Sequence, residues 1–124
     1  MDTERFPAIR RILLPKDTNH HGFVFGGAIM AEIDLAGAVE CSRHTDHKVV
    51  TVSVKEIEFK QPVRVGEVVT FWTRLVKIGT TSITVRVEVE TGLNGNSVAV
   101  TAADVVYVTV EKDQHGDLRK VPVE

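Results

Sequence analysis

The sequence predicts an α+β fold in which one antiparallel sheet curls around a single central helix. Helical periodicity occurs once, over residues 26–42, whereas β-branched and alternating segments fill residues 49–110. Short turns separate the later segments, as is typical of neighbouring antiparallel strands. The chain has 124 residues, 43% of them hydrophobic, and we therefore expect one domain with one core over residues 1–124.

The first two strands lie on either side of the helix in sequence. Residues 9–14 predict a short strand before it. Residues 49–54 are β-branched and almost continuously apolar, which predicts a strand that is buried on both faces. The apolar phase changes near Lys55, which indicates a bulge or a bend before Pro62 ends the segment.

The remaining strands follow one another closely. Residues 68–78 and 82–90 predict two of them, the second with strict alternation of apolar and polar residues. A glycine-rich turn then leads to a long strand over residues 98–110. We expect the polar residues 111–124 to form a loosely held tail.

The composition gives no support for several classes of partner. A net charge of -2 gives no support for nucleic-acid binding. No apolar run reaches the roughly 20 residues that a membrane span needs, and the charged N-terminus is unlike a secretory signal. Cys41 is the one cysteine and cannot form an internal disulfide, so we expect a cytoplasmic protein.

One residue of the helix stands out, the acidic Asp34. At 100° per residue, Glu32, Glu40 and Arg43 share one side of the helix, which predicts a solvated stripe, and Asp34 points away from it among small apolar neighbours. A carboxylate in such a place costs free energy unless it is paired, neutralised or used. The pattern leaves two interpretations open, a structural hydrogen-bonded carboxylate or a functional one.

The glycine pair Gly26–Gly27 opens the same helix. The free N–H groups of a first helical turn suit a developing negative charge, such as the oxyanion of an acyl-transfer intermediate. Such a pair alone is more often a packing device than a functional one. Asp34 lies roughly 10 Å further along the axis, so the two features need not act on one atom within one subunit.

Motifs for other chemistries are weak or missing in the sequence. There is no Gly-x-Ser-x-Gly elbow and no phosphate-binding loop. The histidine spacings do not favour a metal site, and we expect none. Cys41 has no histidine beside it within the predicted helix over residues 26–42, which favours a buried structural thiol over a nucleophile.

An ordered set of motifs resembles the hotdog-fold acyl-CoA thioesterases of the YciA and brain-type acyl-CoA hydrolase group. The set comprises DTNHHGFVFGG at 17–27, IDLAGA at 33–38, VVTVSV at 49–54, FKQPV at 59–63, VGEVV at 65–69 and GTTS at 79–82. The resemblance spans about residues 12–110. It implies a hotdog fold, hydrolysis of acyl-CoA to CoA and a carboxylic acid, and no cofactor, with CoA entering as part of the substrate.

The resemblance also implies the site. The family's asparagine and helical aspartate correspond to Asn19 and Asp34, which would meet across a homodimer interface, and Gly27 would polarise the thioester carbonyl through its N–H. Homodimers of the family assemble further, here into a hexamer or a tetramer. The implied CoA-contacting residues are Gly26, Val54, Lys55, Glu56, Gly79, Thr80, Thr81, Ser82 and, as a phosphate partner, Arg43.

Two other functions stay open at this point. A hotdog dehydratase or hydratase acting on acyl thioesters would need a histidine in the site, which His20 or His21 would have to supply. A non-catalytic module that binds acyl-CoA would not need both Asn19 and Asp34.

Overall fold

The computed structural model describes residues 4–18, 22–24, 26–92 and 96–124. Its elements, in chain order, are strand β1, a short 3₁₀ turn, helix α1 and strands β2 to β6. They span Phe6–Ile12 (β1), Pro15–Asp17 (the turn), Gly26–Ser42 (α1), Lys48–Lys55 (β2), Val68–Ile78 (β3), Ser82–Thr91 (β4), Val98–Lys112 (β5) and Leu118–Lys120 (β6). The predicted bounds of the helix are confirmed.

The strands form one antiparallel sheet in the order β1-β3-β4-β5-β2, with β6 paired to β5. Helix α1 lies on one face of this sheet and contacts all five strands of that order. Ile29, Ile33 and Ala36 of the helix are buried against alternate residues of the strands, including Phe71 and Val85. Each large apolar side chain buried there stabilises the fold by about 1.5–3 kcal/mol. The arrangement agrees with the predicted α+β architecture.

Strand β2 differs from its prediction. It lies at one edge of the sheet, and within the described part of the chain its one neighbouring strand is β5. Its valines Val50, Val52 and Val54 are 38%, 59% and 38% exposed. The expectation of burial on both faces is wrong for a single chain, and an apolar edge strand is left open to another chain.

The structure has two irregularities close to the bulge or bend that the sequence indicates near Lys55. The register of β2 against β5 shifts between Thr51 and Ser53, so that Val52 is the extra residue of a β-bulge. The strand then ends at Lys55, and Glu56 takes a φ of 59°. The segment that follows is not part of the sheet, although the predicted strand continued through it.

The C-terminal segment is held, contrary to the expectation of a loose tail over 111–124. Strand β5 continues to Lys112, and β6 folds back against it. Val121 and Val123 are buried, and their N–H groups donate to the carbonyls of Thr109 and Thr80. The burial of Val121 and Val123, rather than the polar residues around them, fixes the position of this segment.

The predicted solvated stripe of the helix is wrong, because Glu40 is only 1% exposed. Its Oε1 accepts hydrogen bonds from Thr73 Oγ1 at 2.7 Å and from the Arg43 guanidinium at 2.9 Å, and its Oε2 lies 2.5 Å from His44 Nε2. A buried carboxylate is tolerated when every oxygen has such partners. Glu40 therefore faces β3 rather than solvent, and Glu32 of the same side accepts from Arg11 of β1.

Replacing this carboxylate should destabilise the fold. We expect Glu40→Ala to lower the free energy of unfolding by about 3 kcal/mol, because it leaves the Thr73 hydroxyl and the Arg43 guanidinium without their shared acceptor. Urea denaturation of Glu40→Ala beside Glu58→Ala, an exposed glutamate, measures the difference. Equal losses in the two variants would contradict the role given to Glu40.

Candidate active site

Asp34 faces the open edge of the sheet. Its Oδ1 accepts a hydrogen bond from Thr51 Oγ1 of β2 at 2.5 Å. The Asp34 side chain is half-buried, and no other side chain among the described residues donates to its carboxylate. The second oxygen, Oδ2, therefore keeps its accepting capacity for water or a ligand.

A second contact holds the backbone of the same residue. Tyr107 of β5 is 1% exposed, and its hydroxyl donates to the Asp34 carbonyl at 2.6 Å. Burial, with a further contribution from the nearby Asp34 charge, raises the pKa of Tyr107 far above its ordinary value. The hydroxyl consequently stays protonated and remains a donor at any physiological pH.

The apolar cavity beside the start of α1 lies between the helix and the segment that follows β2. It has a volume of about 400 Å³ and is lined mainly by Phe23, Val24, Gly26, Ile29, Phe59 and Val63. A Cβ placed on Gly26 would lie 3.3 Å from the Phe59 ring, so the glycine lets the ring approach the helix closely. The first-turn N–H groups of α1, including that of Gly27, are at this end of the helix.

The structure keeps the two features of the helix apart. Gly27 and Asp34 are seven residues apart in one continuous helix, so about 10 Å separates them along the axis. One copy of the chain therefore presents a carboxylate and a set of helix N–H groups at different places. Asn19 lies outside the described residues.

The residues expected to contact CoA fall at two levels of the sheet. Ser82 pairs with Val108, whereas Val54 pairs with Val105 and Lys55 with Asp104. Three to four residues of β5 separate these levels, which is about 10–13 Å. Within one chain the structure thus brings Val54, Lys55 and Glu56 together, and separates them from Gly79, Thr80, Thr81 and Ser82.

Arg43 lies at the far end of the helix from Gly26. Its guanidinium donates to Glu40 and lies 4.0 Å from the centre of the Phe6 ring. In this arrangement the Arg43 side chain already neutralises a buried carboxylate.

Sequence reasoning missed Thr51 and Tyr107. Both lie in strands. In the sequence, Thr51 resembles the other β-branched residues of its strand and Tyr107 resembles the other apolar residues of its strand. The available signal was weak: Tyr107 is the one tyrosine of the chain, and its hydroxyl needs a partner when it is buried. The contact with Asp34 depends on strand register, which the sequence pattern did not provide.

The described residues contain no group of three or more histidine, cysteine, aspartate or glutamate side chains that could hold a metal ion. None of the helices in the described part of the chain is long and apolar enough to cross a membrane.

The model of the thioesterase superfamily matches residues 21–98. The chain belongs to this thioesterase superfamily. It is 38% identical to the acyl-CoA thioester hydrolase YciA of Salmonella typhimurium over 94% of this chain and 90% of that relative. The resemblance noted in the sequence is therefore confirmed.

Solved structures of thioesterases show the same fold. A hexameric hotdog-fold thioesterase of Campylobacter jejuni is 36% identical, with a TM-score of 0.83 over 95% of this chain and 90% of that one. The acyl-CoA hydrolase of Staphylococcus aureus, solved with butyryl coenzyme A and coenzyme A, is 29% identical, with a TM-score of 0.79 over 93% of this chain and 70% of that one. The predicted hotdog fold is confirmed.

The Staphylococcus aureus hydrolase has also been solved as three alanine variants, of an asparagine, an aspartate and a threonine. In that thioesterase the asparagine precedes the aspartate by 15 residues, and the threonine follows it by 17.

Cys41 should be inert to thiol reagents while the protein is folded. The side chain is 1% exposed, and burial, with the charge of Glu40 adding to it, raises the pKa of Cys41 to about 12. The thiolate is the reactive form, so it is scarce at neutral pH. We expect a disulfide reagent to titrate one thiol per chain in denaturant and none in buffer within the same time. Equal rates in the two conditions would contradict the burial.

Proposed function

We propose that Asp34 is the catalytic carboxylate of an acyl-CoA thioester hydrolase and that Thr51 orients it. The observation that carries the proposal is the hydrogen bond from Thr51 Oγ1 to Asp34 Oδ1, which leaves Oδ2 without a side-chain donor among the described residues, beside the edge strand that carries Thr51. The chain's relatives, named acyl-CoA thioester hydrolases, and the solved complexes with coenzyme A support the substrate class.

The spacing of three residues supports the same assignment. Asn19 precedes Asp34 by 15 positions and Thr51 follows it by 17. These are the separations of the asparagine, aspartate and threonine that were replaced in the Staphylococcus aureus hydrolase. A chance match of residue type and spacing at three positions is improbable in a chain of this likeness. We therefore include Asn19 in the proposed site.

The reaction needs only water as a second substrate. Asp34 Oδ2 accepts a proton from a water molecule as that water attacks the thioester carbonyl. The carbonyl oxygen becomes an oxyanion, which the N–H of Gly27 and the positive end of the helix dipole stabilise. Collapse of the intermediate breaks the C–S bond, and the proton passes to the departing CoA sulfur, giving a carboxylic acid and CoA.

A variant of this route uses Asp34 directly. Its oxygen attacks the carbonyl, CoA leaves, and water then hydrolyses the mixed anhydride. Both routes need the same carboxylate in the same orientation, and both are open.

A second copy of the chain completes the proposed site. Within one copy, Asp34 and Gly27 lie about 10 Å apart, too far to act on one carbonyl. Strand β2, which carries Thr51, is an open apolar edge of the kind that pairs with another chain. We propose a homodimer joined at β2, with Asp34 of one copy near Asn19 and Gly27 of the other. The hexameric Campylobacter jejuni relative supports further assembly, to a hexamer rather than a tetramer.

We place the two ends of the substrate in separate parts of the site. The acyl group enters the apolar cavity at the start of α1, next to the N–H groups that bind its carbonyl. The pantetheine arm runs along Val54, Lys55 and Glu56, and the turn at residues 79–82 of a neighbouring copy contacts the nucleotide end. Phosphate binding by Arg43 and a cytoplasmic location both stay predictions.

The alternatives lack comparable support. A dehydratase would rely on His20 or His21, which lie outside the described residues. A non-catalytic module would have no need of a hydrogen-bonded carboxylate with a free oxygen. The relatives are named as hydrolases.

Asp34→Asn should abolish turnover while leaving the fold intact. We expect kcat with a panel of acyl-CoAs to fall by roughly 10²–10⁴-fold, because an amide cannot accept the proton or attack the carbonyl. Thiol release measures the rate, and the increase in melting temperature caused by saturating CoA should persist in the variant.

Asp46→Asn, the same change at an exposed aspartate, is the matched control and should keep wild-type turnover. Near-normal turnover of Asp34→Asn, with any acyl chain of the panel, would overturn the assignment.

A further inference from the structure

The geometry points to Tyr107 as a positioning residue for catalysis, which fixes the turn of α1 that carries Asp34. This inference rests on the proposed role of Asp34. Tyr107 acts through the main chain of the catalytic residue, to whose carbonyl its hydroxyl donates.

The contact is specific to one carbonyl. A helical carbonyl normally accepts one hydrogen bond, from the N–H four residues later. The Asp34 carbonyl accepts a second, from the Tyr107 hydroxyl at 2.6 Å. Because Tyr107 is 1% exposed, water does not compete for this hydroxyl, and the bond holds one residue of the helix against β5.

Gly37 makes the contact possible. A Cβ built on Gly37 would lie 2.1 Å from the Tyr107 hydroxyl oxygen and 2.8 Å from the ring carbon that bears it. Any larger residue would therefore push the hydroxyl away from Asp34. Glycine within a helix is normally unfavourable, since it loses more backbone entropy than alanine does. Glycine nevertheless occupies position 37, where the Tyr107 hydroxyl contacts the helix.

The side chain and the main chain of Asp34 are held from one place on the sheet. Thr51 and Tyr107 are directly opposite each other in the β2–β5 pairing. Thr51 holds the carboxylate, and Tyr107 holds the backbone of the same residue. The β-bulge at Val52 begins just after this pair, and bulges near functional sites set the direction of neighbouring side chains.

Two hydrogen bonds at different atoms constrain Asp34 more than either alone. With Thr51 alone, the carboxylate could follow the hydroxyl while the helix shifts along its axis or rotates. With Tyr107 as well, the Cα stays in place and Oδ2 keeps one direction. Catalysis depends on this direction, since misplacement of a catalytic group by about 1 Å can cost up to 10²-fold in rate.

Tyr107→Phe tests the inference, because it removes the hydroxyl and keeps the ring. We expect kcat to fall roughly tenfold with KM within about twofold of the wild type, at a temperature where the variant is fully folded. Val87→Ala is the control: Val87 is fully buried on β4 and makes no hydrogen bond to Asp34, so its loss lowers stability without lowering kcat.

Gly37→Ala gives an independent variant. It should lower kcat in the wild-type background, because the added methyl displaces the hydroxyl, and should lower it by a smaller factor when Tyr107→Phe is already present, where the methyl crowds only the ring. This non-additivity indicates that the two residues act through one contact.

The inference is overturned if Tyr107→Phe keeps wild-type kcat, or if Val87→Ala loses as much kcat at an equal loss of stability. If Tyr107→Phe is fully active and Asp34→Asn is inactive, only this inference is contradicted. A fully active Asp34→Asn removes the proposed function as well.

Discussion

The attachment of helix α1 to the β2–β5 edge of the sheet is the constraint on which the site depends. The helix is apolar on most of its surface, and burial of apolar area alone would not fix its rotation about its axis. Polar contacts on different sides of the helix fix this rotation. Asp34 is hydrogen-bonded to Thr51 and, through its carbonyl, to Tyr107, whereas Glu40 on another side accepts from Thr73 of β3. The carboxylate direction is thus set by the fold itself.

The same contacts explain why two acidic residues of one helix have different roles. Both oxygens of Glu40 contact polar side chains, those of Thr73, Arg43 and His44, and Glu40 is nearly inaccessible, so it serves the structure. Asp34 has one side-chain hydrogen-bond donor among the described residues and lies beside an exposed edge strand. A carboxylate with a free oxygen at an open edge can accept a proton from water, which a fully satisfied buried one cannot do.

Periodicity was enough to predict the helix from residue 26 to residue 42 and the α+β class, because both depend on local patterns of apolar residues. It was not enough for features that depend on register or on neighbours. Strand β2 looks buried from its composition, but it lies at the edge of the sheet and is therefore half exposed. Glu40 was placed in solvent because its partner Thr73 is 33 residues away in sequence. Asp34 was found from its unusual surroundings, but Thr51 and Tyr107 required the pairing of β2 with β5. Asn19 came from the family resemblance and lies outside the described residues.

The central claim is that each catalytic site combines Asp34 of one copy with Asn19 of another. Mixing two inactive variants, Asp34→Asn and Asn19→Ala, by joint unfolding and refolding tests it most directly. A mixed dimer would contain one site in which both residues are intact, so an equimolar mixture should recover about a quarter of wild-type thioesterase activity if subunits pair at random. Each variant refolded alone should stay inactive. A mixture that is no more active than the separate variants would contradict the account, since it would mean that both residues of a site come from the same copy.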